Sequence, residues 1–424
     1  MTTGRQDWWT DDPRVRMLFS VAGATGIRGL SSYFFAPKLL LGADGLKALE
    51  SAAPTLSKNK KTLIVTDKSV RKLAEKVQQV MQAAGFTAEI WDEVIPEPPV
   101  ENVMAGAEVA GKLEADLLIA VGGGSVMDAT KAIWLNYARP DLDMRKVMPV
   151  DPETLSGTAL GLRSKAIFLA IPTTSGTGSE TTATAVITDG GQKMVLNHPE
   201  LVPDMAILDP AFTVGMPAKL TAYTGMDVLA HATGSVLSHW ANEYTLPLGY
   251  QAISLVFKYL PRAVADGSDY EARYKMAVAS NMAGMAFGNA APSIEHAMGH
   301  ALGKIFNIHH GCAVGLFTPY MMQAVSKYSE MYLDLARYLG IEGATGREKL
   351  DKLVNLYISF MKSLDCPATI AELGITREQL EEKFEKLLDF TMTDTTTLLS
   401  IRPMTREIYR KLYLCALTGQ RVDF

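Results

Sequence analysis

The grouping of apolar residues limits the architectures open to this chain more than any other feature does. From about Ser31 to Pro210, short and nearly continuous apolar runs alternate with segments of helical periodicity; after about Met216 such runs stop. Lys61-Thr62-Leu63-Ile64-Val65-Thr66, Ala88-Glu89-Ile90-Trp91, Ala115-Asp116-Leu117-Leu118-Ile119-Ala120-Val121 and Ala166-Ile167-Phe168-Leu169-Ala170-Ile171-Pro172 read as strands. Between them, Ser69 to Ala84 sets Val70, Leu73, Val77, Val80 and Met81 on one helical face, and a second helix is expected from about Val100 to Lys112. Strands apolar on both faces and separated by helices imply a parallel sheet covered on both sides. Val186 to Leu196 differs: its Asp189-Gly190-Gly191 turn between two short apolar runs signals a β-hairpin.

The second half reads as all-helical. Leu350, Leu353, Val354, Tyr357, Ile358 and Met361 recur at helical spacing, Thr376 with Gln379 forms a capping-box pattern, and Tyr274 to Phe287 reads as a buried helix. The expected organisation is an N-terminal extension over 1–30, an α/β domain over 31–214 and an all-helical domain over 215–424. A length of 424 residues, 48% hydrophobic and 21% charged, excludes a disordered or fibrous chain. The formal net charge of −5 argues against a nucleic-acid or anionic-membrane partner. No apolar run approaches the ~20 residues that a membrane helix needs. The three cysteines, Cys312, Cys366 and Cys415, are too few and too scattered for a disulfide framework or a thiolate cage, which points to a reducing, cytoplasmic compartment. Arg14 and Arg16 before Met17 to Ala24 imitate an export signal, but Asp11 and Asp12 contradict it. The same stretch also reads, through Trp8-Trp9, as a docking handle for another subunit, and the sequence does not decide.

Two glycine-rich turns mark a candidate ligand site. Gly122-Gly123-Gly124-Ser125-Val126-Met127-Asp128 follows an expected strand and opens an expected helix, where backbone N–H groups and the helix N-terminus can receive a pyrophosphate. It matches neither GxGxxG nor the P-loop. Pro172-Thr173-Thr174-Ser175-Gly176-Thr177-Gly178-Ser179-Glu180 follows another strand and offers hydroxyls and N–H groups for ribose, phosphate or a nicotinamide amide. Asp67, just past a third strand, either accepts from ribose hydroxyls, which favours NAD over NADP, or caps the helix that begins near Ser69.

Five of the seven histidines fall in two clusters within the helical half. Asp227 and His231 are four residues apart, on one face of a helix; His296, His300, His309 and His310 fall within fifteen residues. Several imidazoles in apolar sequence need partners, and one divalent cation can serve them together. A carboxylate with imidazoles and no thiolate suits Fe(II), Zn(II), Mn(II) or Co(II). His198 and His239 stand apart, with no expected role.

The succession Gly-Gly-Gly-Ser-x-x-Asp, Pro-Thr-Thr-x-Gly-Thr-Gly-Ser-Glu, Gly-Met-Asp-x-x-x-His, His-x-x-x-His-x-Leu-Gly and His-Gly resembles the iron-dependent (group III) alcohol dehydrogenases, from about Phe34 to Ala416. The resemblance implies a Rossmann-like N-terminal dinucleotide-binding domain, an all-α C-terminal domain and an active site in the cleft between them. It implies metal ligation, by Fe(II) or by Zn(II) or another divalent ion, at Asp227, His231, His296 and His310. Nucleotide contacts fall at Asp67, Gly123, Gly124, Ser125, Asp128, Thr173, Thr174, Thr182 and Lys193, and a substrate-pocket position at Phe287. His300 corresponds to a residue near the nicotinamide and metal, and becomes the candidate for proton traffic. The implied activity is reversible, NAD-linked hydride transfer between a small primary alcohol or diol and its aldehyde, by a homodimer or larger homo-oligomer.

Three departures stand out. His231-Ala232-Thr233-Gly234 lacks a glutamate that the family often carries at 234; His309 stands where a proline often precedes the last ligand; and Ile401-Arg402-Pro403 replaces a frequent Asn-Pro-Arg. Alternatives on the same architecture are a dehydroquinate-synthase-like lyase, a glycerol-dehydrogenase-like zinc enzyme and a non-catalytic nucleotide-binding relative.

Overall fold

The computed structural model describes residues 34–147 and 159–424. The expected extension over 1–30, with Trp8-Trp9 and the signal-like stretch, lies outside the described residues. The described residues form two compact units. One holds those up to Thr174 together with Ser179–Thr213; the other holds Ser175–Gly178 and Val214–Phe424.

The first unit contains β1 (Lys38–Leu41), α1 (Gly45–Leu56), β2 (Lys61–Val65), α2 (Arg71–Ala83), β3 (Thr87–Trp91), α3 (Val100–Leu113), β4 (Leu117–Gly122), α4 (Gly124–Ala138), β5 (Ile167–Pro172), β6 (Thr184–Asp189), β7 (Gln192–Asn197) and β8 (Met205–Leu208). Six strands form one sheet in the order β1-β8-β5-β4-β2-β3, every neighbouring pair parallel. Alternation along the strands explains their continuous apolarity. Leu63, Val65, Leu118, Ala120, Phe168 and Ala170 pack with Val103 and Ala107 of α3 and with Ala129 and Ile133 of α4. Ile64, Ile119, Val121, Leu169 and Ile171 pack with Leu49 of α1 and with Ala74, Val77 and Met81 of α2. Both faces are therefore buried.

β6 and β7 form the antiparallel hairpin around Gly190-Gly191. β1 and β8 carry no strand signal of their own; four residues each are too short for a period to show, and their pairing supplies the assignment. α2 starts at Arg71 rather than Ser69, because Asp67 Oδ1 accepts the Ser69 N–H at 2.7 Å and holds a turn ahead of the helix.

The second unit contains α5 (Ala218–Val236), α6 (Thr245–Ala265), α7 (Tyr270–Ala290), α8 (Ile294–Phe306), α9 (His310–Val325), α10 (Met331–Tyr338), α11 (Gly346–Ser363), α12 (Arg377–Glu382), α13 (Phe384–Thr393), α14 (Thr395–Leu398) and α15 (Arg406–Thr418), with no strand among its described residues. α11 buries Leu350, Leu353, Val354, Tyr357 and Met361. Both halves of the capping box at α12 form: Thr376 N–H donates to Gln379 Oε1 at 2.9 Å, and Gln379 N–H to Thr376 Oγ1 at 3.3 Å. Among the described residues no helix is long and apolar enough to cross a membrane.

Candidate functional site

In the first unit, Asp67 follows β2, Gly123, Gly124 and Ser125 follow β4, and Thr173 and Thr174 follow β5. Those three strands are adjacent and parallel, so these residues share one edge of the sheet, where open α/β sheets bind ligands. Gly123 is the extended N-cap of α4 and supplies no side-chain cap, as a helix that receives an anion requires. Thr173 N–H donates to the Gly122 carbonyl at 2.9 Å. A Cβ on Gly123 would stand 3.3 Å from the Thr174 side chain, so the two loops adjoin.

Asp128 and Thr182 are engaged by the unit itself. Asp128 accepts from Ser179 Oγ at 2.6 Å and from the Val186 N–H at 3.0 Å. Beside it the completely buried Lys131 Nζ donates to Ser179 Oγ, Thr182 O, Thr182 Oγ1 and Thr184 O at 3.0, 2.8, 3.1 and 2.7 Å. Burial lowers the Lys131 ammonium to about 8, against the pull of Asp128 and Glu180. Lys193, on β7, forms an ion pair with Glu97 at 3.1 Å.

The second unit gathers the other set. Asp227 and His231 sit one turn apart on α5, His296 lies on α8, and His310 opens α9. A Cβ on Gly311 would collide with the Tyr223 carbonyl oxygen, so glycine lets the start of α9 close onto α5 beside Asp227. His310 Nε2, His231 Nδ1 and His296 Nε2 lie 3.3, 3.7 and 3.9 Å from Asp227 Oδ1. One donor atom from each of the four falls within 4.8 Å of all the others.

Asp227, His231 and His296 are 2%, 5% and 3% exposed, while the His310 side chain is 36% exposed and forms the open side. Burial alone would raise Asp227, but the facing imidazoles outweigh it and hold the carboxyl far below its ordinary range; burial pushes His231 and His296 down to about 3. Asp227 Oδ1, His231 Nδ1 and His296 Nε2 have no hydrogen-bond partner. Orphaned buried polar atoms cost about 1–3 kcal/mol each, and three of them converging on one point are what a cation would satisfy together. The residues present fit a divalent metal ion with hard and borderline donors.

His309 points elsewhere. Its Nδ1 accepts the Gly311 N–H at 3.2 Å as the N-cap of α9, and its ring lies 5.3 Å from that of Tyr223. Phe287 stacks on His231 with ring centroids 4.0 Å apart and planes 12° from parallel. His300, one turn beyond His296, stacks on His310 at 5.1 Å, and its Nδ1 lies 2.7 Å from Asp394 Oδ2. Asp394 Oδ1 accepts from Thr396 N–H and Oγ1 at 2.9 and 2.7 Å. Burial opposes ionisation of Asp394, but His300 and Thr396 prevail and hold it at about 2. Gly178, in the short loop that belongs to this unit, has φ +61°, and a Cβ there would stand 2.6 Å from Gly284 Cα; it serves close packing on α7.

Three residues at these centres, Lys131, Glu295 and Asp394, are not among those expected from the sequence. Lys131 carried a signal, a lone cation in the apolar run Ala129 to Leu135. Glu295 carried one too, a carboxylate beside a candidate ligand in an apolar helix. Asp394 carried none, since 94 residues separate it from His300.

Both halves of the chain match known proteins. The family model "Iron-containing alcohol dehydrogenase" matches residues 36–210, and the C-terminal model of the Fe-containing alcohol dehydrogenase family matches residues 221–417. The chain is 36% identical over 375 residues to the NADPH-dependent butanol dehydrogenase of Clostridium saccharobutylicum, covering 87% of this chain and 94% of that one. It spans 41% of the length of the bifunctional aldehyde-alcohol dehydrogenase of Escherichia coli (strain K12), at 34% identity over 80% of this chain. Among solved structures, a 1,3-propanediol oxidoreductase superposes with a TM-score of 0.83 at 29% identity, covering 92% of this chain and 100% of that one. Sulfoacetaldehyde reductase from Bifidobacterium kashiwanohense in complex with NAD+ does so with a TM-score of 0.77 at 27% identity, covering 92% and 100%. With both halves of the family pattern matched in one chain, this protein belongs to the iron-containing alcohol dehydrogenase family.

Proposed function

We propose that the protein interconverts a small primary alcohol or diol and its aldehyde by hydride transfer to and from a nicotinamide dinucleotide, with one divalent cation, iron(II), held by Asp227, His231, His296 and His310. One observation carries this reading: four donor atoms from three helices converge within 4.8 Å, three of them buried without a hydrogen-bond partner. The chemistry that such a cation supplies is Lewis acidity toward a substrate oxygen. The chain supplies the rest. Gly123, Gly124 and Ser125 at the N-terminus of α4 receive the pyrophosphate, with Thr173 and Thr174 beside them. Phe287 forms an apolar wall against His231 that keeps water from the reacting carbon. Asp394 holds the Nδ1–H of His300, which leaves His300 Nε2 to carry a proton to or from the substrate oxygen through ribose hydroxyls or water.

Asp67, partly exposed at the end of β2, favours an unphosphorylated ribose and hence NAD(H); a 2′-phosphate would meet its carboxylate. The chain is also proposed to act in the cytoplasm, as a homodimer or larger homo-oligomer, on small molecules alone. The test is a spectrophotometric screen of alcohols and aldehydes that follows NADH and NADPH separately, on protein reconstituted anaerobically with Fe(II). Metal-dependent turnover with NADH preferred is the expected result. Turnover that survives complete removal of metal overturns the reading, and a clear preference for NADPH overturns the role of Asp67.

A further inference from the structure

Glu295 lies on α8 directly before His296 and is completely buried. Its Oε1 accepts the Ser293 N–H at 3.1 Å and lies 2.9 Å from His296 Nδ1. Its Oε2 has no hydrogen-bond partner. On the opposing helix, α5, a Cβ on Gly234 would fall 2.5 Å from Glu295 Oε1 and 3.2 Å from the Ser293 nitrogen. The carboxylate thus occupies the space that a side chain at 234 would fill, three residues beyond His231.

We propose that Glu295 is a positioning residue for the metal ion: it takes the Nδ1–H of His296, and so selects the tautomer whose Nε2 lone pair faces Asp227, His231 and His310. This inference rests on the metal reading above. An imidazole ligand commonly donates its second N–H to a carboxylate, which fixes the ring and strengthens it as a ligand. A cap for α8 alone needs only an acceptor for the Ser293 N–H, and a neutral side chain would supply that. Here one oxygen serves both the cap and His296, and glycine at 234 leaves room for it. Glu295 also places a second carboxylate near the cation, so that the buried positive charge does not depend on Asp227 alone.

The test measures Co(II) and Zn(II) affinity of the full chain by competition with a chromophoric chelator, with the Co(II) visible spectrum as a report on ligand geometry and the melting of apo-protein as a report on the fold. None of these depends on turnover. Glu295→Ala is expected to weaken metal binding ~100-fold and Glu295→Gln ~10-fold, the range for loss of such a partner, with an altered Co(II) spectrum. The Gln variant is expected to leave apo-protein melting unchanged. The double variant Gly234→Glu/Glu295→Ala, which delivers a carboxylate to the same space from α5, is expected to recover most of the affinity. Should Glu295→Ala fail to fold, Glu295→Gln carries the test. Single variants that bind Co(II) as tightly as wild type, with an unchanged spectrum, reduce Glu295 to a helix cap and overturn the proposal. A wild-type chain that takes up no Co(II) or Zn(II) overturns the metal reading, and this inference with it.

Discussion

Each unit of the molecule buries a polar centre, and the two are built on opposite principles. Around Lys131, one ammonium meets oxygens of Ser179, Thr182 and Thr184, and Asp128 beside it is held by Ser179 and the Val186 N–H. Donors and acceptors there are matched within the protein. Around Asp227, a carboxylate oxygen and two imidazole nitrogens face one another with no hydrogen-bond partner. The matched centre fixes a backbone loop, and the unmatched one, with four convergent donor atoms, suits a cation supplied from outside. Burial alone therefore does not tell these two centres apart; their hydrogen-bond partners do.

Removing the cation should separate the two centres most sharply. Chelation, or Asp227→Ala, should cost several kcal/mol of transition-state stabilisation, roughly a thousand-fold or more in turnover, while Lys131→Met protein should retain its metal. Metal analysis with a steady-state assay checks both halves.

Next in size is the pair beside the metal. His300→Ala should lower kcat ~100-fold and Asp394→Asn, which keeps the shape but not the charge, ~10-fold, with metal content unchanged in both. Unchanged turnover in both variants would remove the pair from catalysis.

The matched centre should answer in stability instead. Lys131→Met strands four oxygen contacts in the interior and should cost ~2–4 kcal/mol in urea unfolding. The pH dependence has a definite sign. The folded-state pKa of Lys131 is lowered to about 8 from the ordinary 10.5, so between these values the unfolded chain binds more protons and stability rises with pH. Wild type should gain on Lys131→Met by up to ~1 kcal/mol per pH unit across that window; a constant gap between the two curves would show that the ammonium is not depressed.

The smallest effect sharpens the border between the two kinds of centre. His309→Ala should lose about 1 kcal/mol as an N-cap and keep both metal and activity, although it adjoins His310; loss of metal would show that the wrong neighbour has been assigned to the site.

Much of this was legible in the chain, and the limits are physical. Period and turn chemistry act over a few residues, so β2, β4, β5, the hairpin, α11 and the capping box of α12 could be read directly. β1 and β8 could not, since four residues carry no readable period and their pairing is nonlocal. Asp227 and His231 were legible as a pair because one helical turn joins them. The meeting of His296 and His310 with that pair, and the separation of His309 from it, depended on how α8 and α9 pack on α5.

Local periodicity and residue chemistry act within a few residues, so they settle which side chains are available and where strand gives way to helix. Packing sets what those side chains face. It turned Asp128 and Thr182 toward the loop around Lys131, placed Asp394 on His300 across 94 residues, and set Glu295 behind His296 in the space left by Gly234. Such choices follow from the close packing of helices and loops distant in the chain, and no window of sequence contains them.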